Sequence, residues 1–244
     1  MPVPEPFHEC NGQFTIDLPG ARAAFTTRRG GVSGGAYASL NLGFATADDP
    51  GHQQANRARL AELVGAPPAG WMYQVHGDRV DVLEDHAALV ERPEIDGRAT
   101  RLTGVALGAL GADCLTVAVA GGGAVAIAHA GWRGLAAGVL GRTVDRVRAL
   151  ADDGAEIHAA IGPGAGPCCY EVGPEVHAVF ADRPQARDGD NLDLSAIATA
   201  LLDEAGADAV HAIGLCTMCH PELFFSHRRD RGITGRQAGL AWLT

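Results

Sequence analysis

A formal charge of −10 over 244 residues, from 29 acidic against 19 basic side chains, makes a surface that repels phosphate backbones and argues against a general nucleic-acid binder. At 47% hydrophobic and 20% charged, the chain has the material for one large core and reads as a single domain spanning residues 1–244. No apolar run reaches the ~18 residues of a membrane span, and "MPVPEPFHECNGQF" lacks the positive-then-apolar order of a signal peptide. A cytoplasmic protein without membrane partners is expected.

In chain order, "GARAAFTTRRGGVSGGAYASLNLG" reads as a strand over roughly 21–27 running into a glycine-rich loop. "DDPGHQQANRARLAELVGA" reads as a helix, with Asp48 or Asp49 as cap, Pro50 in its first turn and Gly65 at its exit. "WMYQVHGDRVDVLED" reads as two short strands broken at His76–Gly77. "GVALGALGADCLTVAVAGGGAVAIAHA" holds strand-like runs, the last two joined at Gly121–Gly123 as a hairpin. "GLAAGVLGRTVDRVRALADDGA" reads as one helix, with Leu135, Val139, Val144, Val147 and Leu150 near helical spacing. "AEIHAAIGPG" is strand then turn, "GPEVHAVFAD" and "NLDLSAIATALLDEAGA" are helices, and Asn191 or Asp193 caps the second. "AVHAIGLC" is a last strand before the basic loop "SHRRDRGITGR". The mixture is α/β or α+β; sheet order does not follow from it.

Six cysteines in a chain of this length do not suggest a disulfide scaffold. Cys114 and His129 flank a hairpin of about 14 residues, so strand pairing would bring both to one edge. His76 sits at a break on a separate segment. Thiolate and imidazole are ligands that Zn²⁺ prefers, and three of them leave a fourth position for water or substrate. Asp113 would then orient a ligand or take a proton. The same spacing also suits three unrelated side chains. Cys168, Cys169, Cys216 and Cys219 offer a structural Cys₄ site, although adjacent cysteines hold such geometry poorly and buried free thiols are the simpler reading.

At "YQVHGD", "ADCLTVAVA", "AHAGWRG", "GPCCYEVG" and "CTMCHPELFFSHRRD" with "TGRQAG", the chain resembles the laccase-domain family. This family is also called polyphenol oxidase-like or peptidoglycan-editing-factor-like, and is described as purine nucleoside phosphorylases. "FTTRRGGVSGGAYASLNLG" resembles its N-terminal signature, and the likeness covers about residues 22–240. The resemblance implies a layered α/β sandwich of β-sheets flanked by helices. It also implies a metal held by His76, Cys114 and His129. Two departures are Thr116, where the family commonly has Pro, and Gly97 after the matching Asp96 in "EIDGRAT".

The resemblance further implies phosphorolysis of adenosine, inosine and methylthioadenosine, with some adenosine deaminase activity; the partners are then purine nucleosides and phosphate, on a Zn²⁺ centre with Cu²⁺ as the other candidate ion. Deamination needs a metal-activated water, for which Asp113 is the candidate proton shuttle. Its plainer reading is a buried carboxylate bonded to backbone amides. Phosphorolysis needs a held anion. Arg133 opens a helix where free amides favour anions, and Arg28 and Arg236 would complete the grip. Asn41, Gln74 and Tyr170 are candidates for ribose or base contacts, or loop hydrogen-bonders. Trp132 reads as a packing anchor, and His220 and His227 as solvated. A monomer is expected.

Three rival readings remain. A multicopper oxidase needs histidines gathered in His-x-His pairs, and none of the ten histidines here is so placed. A cysteine hydrolase would use Cys114 as nucleophile with His129 or His76 as base, and the family's editing role keeps a cell-wall-precursor amidase open. A zinc-stabilised binding module would close the fourth coordination position.

Overall fold

The runs Leu115–Gly121 and Ala124–Ala130 are buried at every position. Strands covered on both faces carry continuous apolar sequence rather than alternation, and these two lie in the middle of the molecule. The computed structural model describes residues 3–244; Met1 and Pro2, which open the stretch read for a leader, lie outside the described residues.

The strands in chain order are β1 (His8–Cys10), β2 (Gln13–Leu18), β3 (Ala21–Phe25), β4 (Ala69–Trp71), β5 (Val80–Leu83), β6 (Gly97–Thr100) and β7 (Ala106–Gly111). They continue with β8 (Leu115–Gly121), β9 (Ala124–Ala130), β10 (His158–Ile161), β11 (Arg187–Asp188), β12 (Asn191–Leu192), β13 (Ala209–Ala212) and β14 (Gln237–Leu243). The helices are α1 (Pro50–Val64), α2 (Trp132–Ala137), α3 (Val139–Leu150), α4 (Pro174–Val179) and α5 (Leu194–Glu204). Two six-stranded sheets run in the orders β1-β2-β3-β14-β7-β4 and β13-β10-β8-β9-β6-β5, and β11 pairs with β12 apart from them.

Period-two geometry sorts the core into layers. In β8, Ala118 and Ala120 face the first sheet, where they meet Phe25 and Leu107. Val117 and Val119 face the other way, against Leu140, Val144 and Val147 of α3 and Ile197 of α5. On the outer face of the first sheet, Leu60 and Val64 of α1 pack on Ala106, Leu240 and Trp242. The result is α1, sheet, sheet, then the remaining helices: the expected layered α/β sandwich. Each fully buried Val or Leu in these layers contributes about 1.5–3 kcal/mol.

Several local expectations hold. Asp49 caps α1, accepting from the amides of Gly51 and His52, and Gly65 leaves it at φ +67°. Asp193 caps α5 through the amide of Ala196. The β8–β9 turn uses Gly122 and Gly123 at φ +54° and +72°, values that suit a two-residue hairpin loop. Others need correction. The single helix expected after His129 is two, because Gly138 at φ +91° ends α2 and starts α3. "AVHAIGLC" is not the last strand: β14 follows and lies between β3 and β7, antiparallel to both. β1 and β2 were not anticipated either. Among the described residues, no helix is long and apolar enough to cross a membrane.

Candidate metal centre and cavity

Hairpin register does the first part of the assembly. Leu115 pairs with Ala130 and Thr116 with His129, so Cys114, one residue before β8, emerges at the edge where His129 ends β9. Cys114 follows Asp113, a non-glycine residue at φ +93°, and His76 stands at φ +60° in the loop between β4 and β5. Non-glycine residues at positive φ persist where neighbours hold them, and both segments are tied down.

Asp96, fully buried just before β6, is what ties His76. Its Oδ2 accepts from the amides of Val75 (3.1 Å) and Gly77 (2.7 Å), and its Oδ1 from that of His76 (3.0 Å). The same Oδ1 lies 2.8 Å from Nδ1 of His129, whose own amide donates to the Asp96 carbonyl at 2.7 Å. With Nδ1 committed, Nε2 is the nitrogen of His129 left for a ligand. The His76 and His129 rings stand edge to face with centroids 4.8 Å apart. One ligand atom each from His76, Cys114 and His129 lies within 4.8 Å of the other two.

Burial raises the Cys114 thiol, but hydrogen bonds and charge from His129 and then His76 outweigh it and bring the pKa down to about 6. Burial lowers the His129 imidazole, while Asp96 and Cys114 outweigh it and lift the pKa to about 9. For Asp96, burial raises the pKa, and the His129 and Gly77 bonds reverse this to a net lowering. The centre therefore favours a thiolate before anything binds.

Gly131 leaves the space. A Cβ there would sit 2.8 Å from Cys114 Sγ and 3.3 Å from His76 Cδ2, so any side chain would press on that sulfur and on the edge of the His76 ring. A thiolate and two imidazoles around such a space fit a borderline-soft divalent ion with an open position.

The three residues border a cavity of about 410 Å³, within the range of small-molecule sites. Its arginines are Arg92, Arg228 and Arg236. None of the three forms an ion pair among the described residues, although the Arg92 guanidinium stacks 3.6 Å from the centroid of the Phe44 ring. Of the anion-gripping set expected from sequence, only Arg236 is on this wall. Arg133 is exposed and stacks 4.3 Å over Trp132. Arg28 donates to the carbonyls of Ala38 and Pro221 and lies over Phe225. Neither borders the cavity.

The other expected residues divide similarly. Gln74 borders the cavity, but its amide is spent on β7, donating to the Leu110 carbonyl (2.7 Å) and accepting from the Leu110 amide (2.9 Å). Tyr170 borders it with a hydroxyl pushed to about 12 by burial and by the nearby Cys114 charge. Asn41 does not border it. Its buried Oδ1 accepts from the amides of Gly43 and Arg236, so it positions the wall instead. Asp113 borders it, with Oδ1 accepting from the Thr217 hydroxyl (2.7 Å) and Oδ2 from the Arg228 amide (2.8 Å). His227, expected to be solvated, is exposed but on the cavity rim.

Sequence reading missed Asp96 as the residue that orients both histidines, and missed Arg92 and Arg228. The "EIDG" match pointed at Asp96 without indicating its partners. The buried-thiol reading of the remaining cysteines also fails, since Cys168 and Cys219 are exposed and only Cys216 is buried.

Fold and centre together define a layered α/β protein whose clustered thiol and imidazoles, a candidate metal centre, border a cavity. The chain belongs to the family described as multi-copper polyphenol oxidoreductase laccase, whose model it matches over residues 22–244. It is 42% identical over 246 residues to the purine nucleoside phosphorylase of Xylella fastidiosa strain 9a5c, covering 92% of this chain and 93% of that one. It is 38% identical over 235 residues to purine nucleoside phosphorylase YfiH of Escherichia coli K12, covering 92% and 94%. Among solved structures, the hypothetical protein YfiH of Bacillus licheniformis superposes with a TM-score of 0.90 at 31% identity, covering 98% of this chain and all of that one.

Proposed function

We propose that the chain is a zinc-dependent purine nucleoside phosphorylase. It would cleave adenosine, inosine and methylthioadenosine with phosphate, giving the free base and ribose 1-phosphate or its methylthio counterpart, with accompanying adenosine deaminase activity. The observation that carries this reading is one cavity bordered by both the His76–Cys114–His129 centre and three arginines without carboxylate partners. The names of the relatives support the same substrate class.

In phosphorolysis a phosphate oxygen bonds to C1′ while the C1′–N9 bond breaks and its electron pair leaves with the base. Arg236, Arg92 and Arg228 supply donors for the phosphate; the Arg236 backbone is held by the Asn41 side chain, and its Nη1 donates to the Thr234 and Gly235 carbonyls. Tyr73, Phe44 and Tyr170 offer apolar faces for the nucleoside. Asp113 holds the Arg228 loop through its amide; serving as a proton shuttle would require release of one of its two hydrogen bonds. When bound, Zn²⁺, or Cu²⁺ in its place, supplies Lewis acidity at the open position.

The test is phosphate-dependent release of adenine from adenosine by the pure protein, read by product chromatography beside Cys114→Ala and Arg236→Ala. Turnover lost in both supports the reading; undiminished turnover in both excludes it. One observation favours a second reading: Asp96, His129 and Cys114 form a carboxylate–imidazole–thiolate series, the arrangement of a cysteine hydrolase or amidase. Activity that survives a chelator but not a thiol alkylating agent would select that reading.

A further inference from the structure

The four cysteines outside the cavity meet at a second point. Cys168 and Cys169 lie in the turn after β10 and Cys216 and Cys219 in the turn after β13, and their sulfurs all fall within 4.8 Å of one another. Cys219 Sγ is 3.4 Å from that of Cys168 and 3.3 Å from that of Cys169. Parallel pairing of β10 with β13 brings the turns together, and the Gly164–Cys216 bridge prolongs it.

We propose that this cluster is a structural metal site that takes a divalent, thiophilic cation, Zn²⁺ foremost, on four thiolates. Tetrahedral zinc with bonds of about 2.3 Å sets sulfurs about 3.8 Å apart, and the cluster needs shifts of only tenths of an ångström to about one ångström to reach that spacing. The Gly166 amide donates to Cys216 Sγ at 3.3 Å, the kind of bond that steadies a bound thiolate. Gly166 also lies against the cluster: a Cβ there would be 3.2 Å from Cys216 Cβ and in ordinary contact, 3.4 Å and 3.5 Å, with the sulfurs of Cys168 and Cys216.

Binding four thiols to M²⁺ releases four protons and leaves a charge of −2. Arg228 donates to the carbonyl of Glu171, close in chain to Cys169, and Arg229, itself paired with Asp230, to that of Thr217, next to Cys216. No pair is singled out for a disulfide, because Cys219 is equally near two sulfurs. The exposed Cys168 and Cys219 provide an entry path. The metal would clamp two turns that reach the cavity: Tyr170 follows Cys169, and Thr217, between Cys216 and Cys219, bonds Asp113.

The experiment is cobalt(II) titration of the full-length Cys114→Ala protein, whose first centre has lost its thiolate and cannot give thiolate-to-cobalt charge-transfer absorption. One equivalent of Co²⁺ with that absorption, displaced by Zn²⁺, is the expected result. Adding Cys168→Ser or Cys219→Ser, both at exposed positions, should weaken it by about 100-fold or more, with circular dichroism confirming the fold. No cobalt absorption in Cys114→Ala overturns the proposal, whether the five remaining cysteines titrate as free thiols or two are missing in a disulfide. Wild-type protein reads the first centre separately: one equivalent of metal, retained in Cys114→Ala, would sink the first centre and leave this one standing.

Discussion

The Nδ1 of His129 and Oδ1 of Asp96 are 2.8 Å apart, and the same oxygen accepts the amide of His76. One buried carboxylate thus aims one histidine through its ring and another through its backbone. Asp96→Asn keeps the shape but removes the charge and places an amide N–H where an acceptor is needed. Metal affinity should fall about 10- to 100-fold, measured by chelator competition, and the melting temperature of the metal-free protein should fall as well.

Gly131 has φ −77° and ψ 170°, a backbone that alanine adopts without strain. Its constraint is the space in front of Cys114. Gly131→Ala should therefore retain the fold and lose the metal, read as near-zero metal per chain by elemental analysis beside a circular dichroism spectrum like the parent's. Full metal content in this variant would show that the ion sits elsewhere.

The cavity arginines and the outlying ones give opposite expectations. On the proposed function, Arg236→Ala would remove two charge-assisted hydrogen bonds to phosphate, about 3 kcal/mol or on the order of 10²-fold in kcat/KM for phosphate. Arg133→Ala strips a guanidinium stacked on Trp132 outside the cavity and should change the same constant by less than about threefold. Steady-state kinetics with phosphate as the varied substrate separates them.

Asp230 organises the loop that carries Arg228. It accepts from Arg229 Nε (2.8 Å) and Nη2 (2.9 Å) and from the Thr234 hydroxyl (2.8 Å). Burial raises its carboxyl, but the Arg229 and Thr234 bonds outweigh this and hold it below the ordinary carboxylate range. A carboxyl with a depressed folded-state pKa contributes stability in full above its unfolded value, and that contribution is lost as pH falls through the folded value. Asp230→Asn should lower the melting temperature at neutral pH, and the difference from wild type should shrink on acidification below about pH 4. A difference independent of pH would assign the loop's stability to packing instead.

Chelation should remove activity and lower the melting temperature together, since an ion that binds only the folded chain stabilises it by mass action. Restoring zinc should recover both. Loss of activity without any thermal shift would separate catalysis from the metal's hold on the loops.

What was readable along the chain was short in range. The Asp49 cap, Gly65 exit and Gly122–Gly123 turn follow from backbone preferences of single residues, and the hairpin they predict carries Cys114 and His129 to one edge. Those features, with the family motifs, sufficed for the layered α/β class and for grouping His76, Cys114 and His129, whose ligand atoms the fold does bring within 4.8 Å of one another. Tertiary structure decided the rest. β14 is a run of Gln, Ala, Gly, Leu and Trp with no alternation, and only pairing with β3 and β7, over 200 and about 130 residues away in sequence, makes it a central strand. Asp96 became the hub because β6 pairs with β9, and four sulfurs met because β10 pairs with β13. Long guanidinium side chains have no fixed direction in sequence; Arg92 lines the cavity stacked on Phe44, and Arg236 and Arg228 line it on loops whose backbone amides Asn41 and Asp113 hold. Backbone propensity acts over a few residues, whereas sheet pairing and side-chain direction depend on neighbours that only the folded chain supplies.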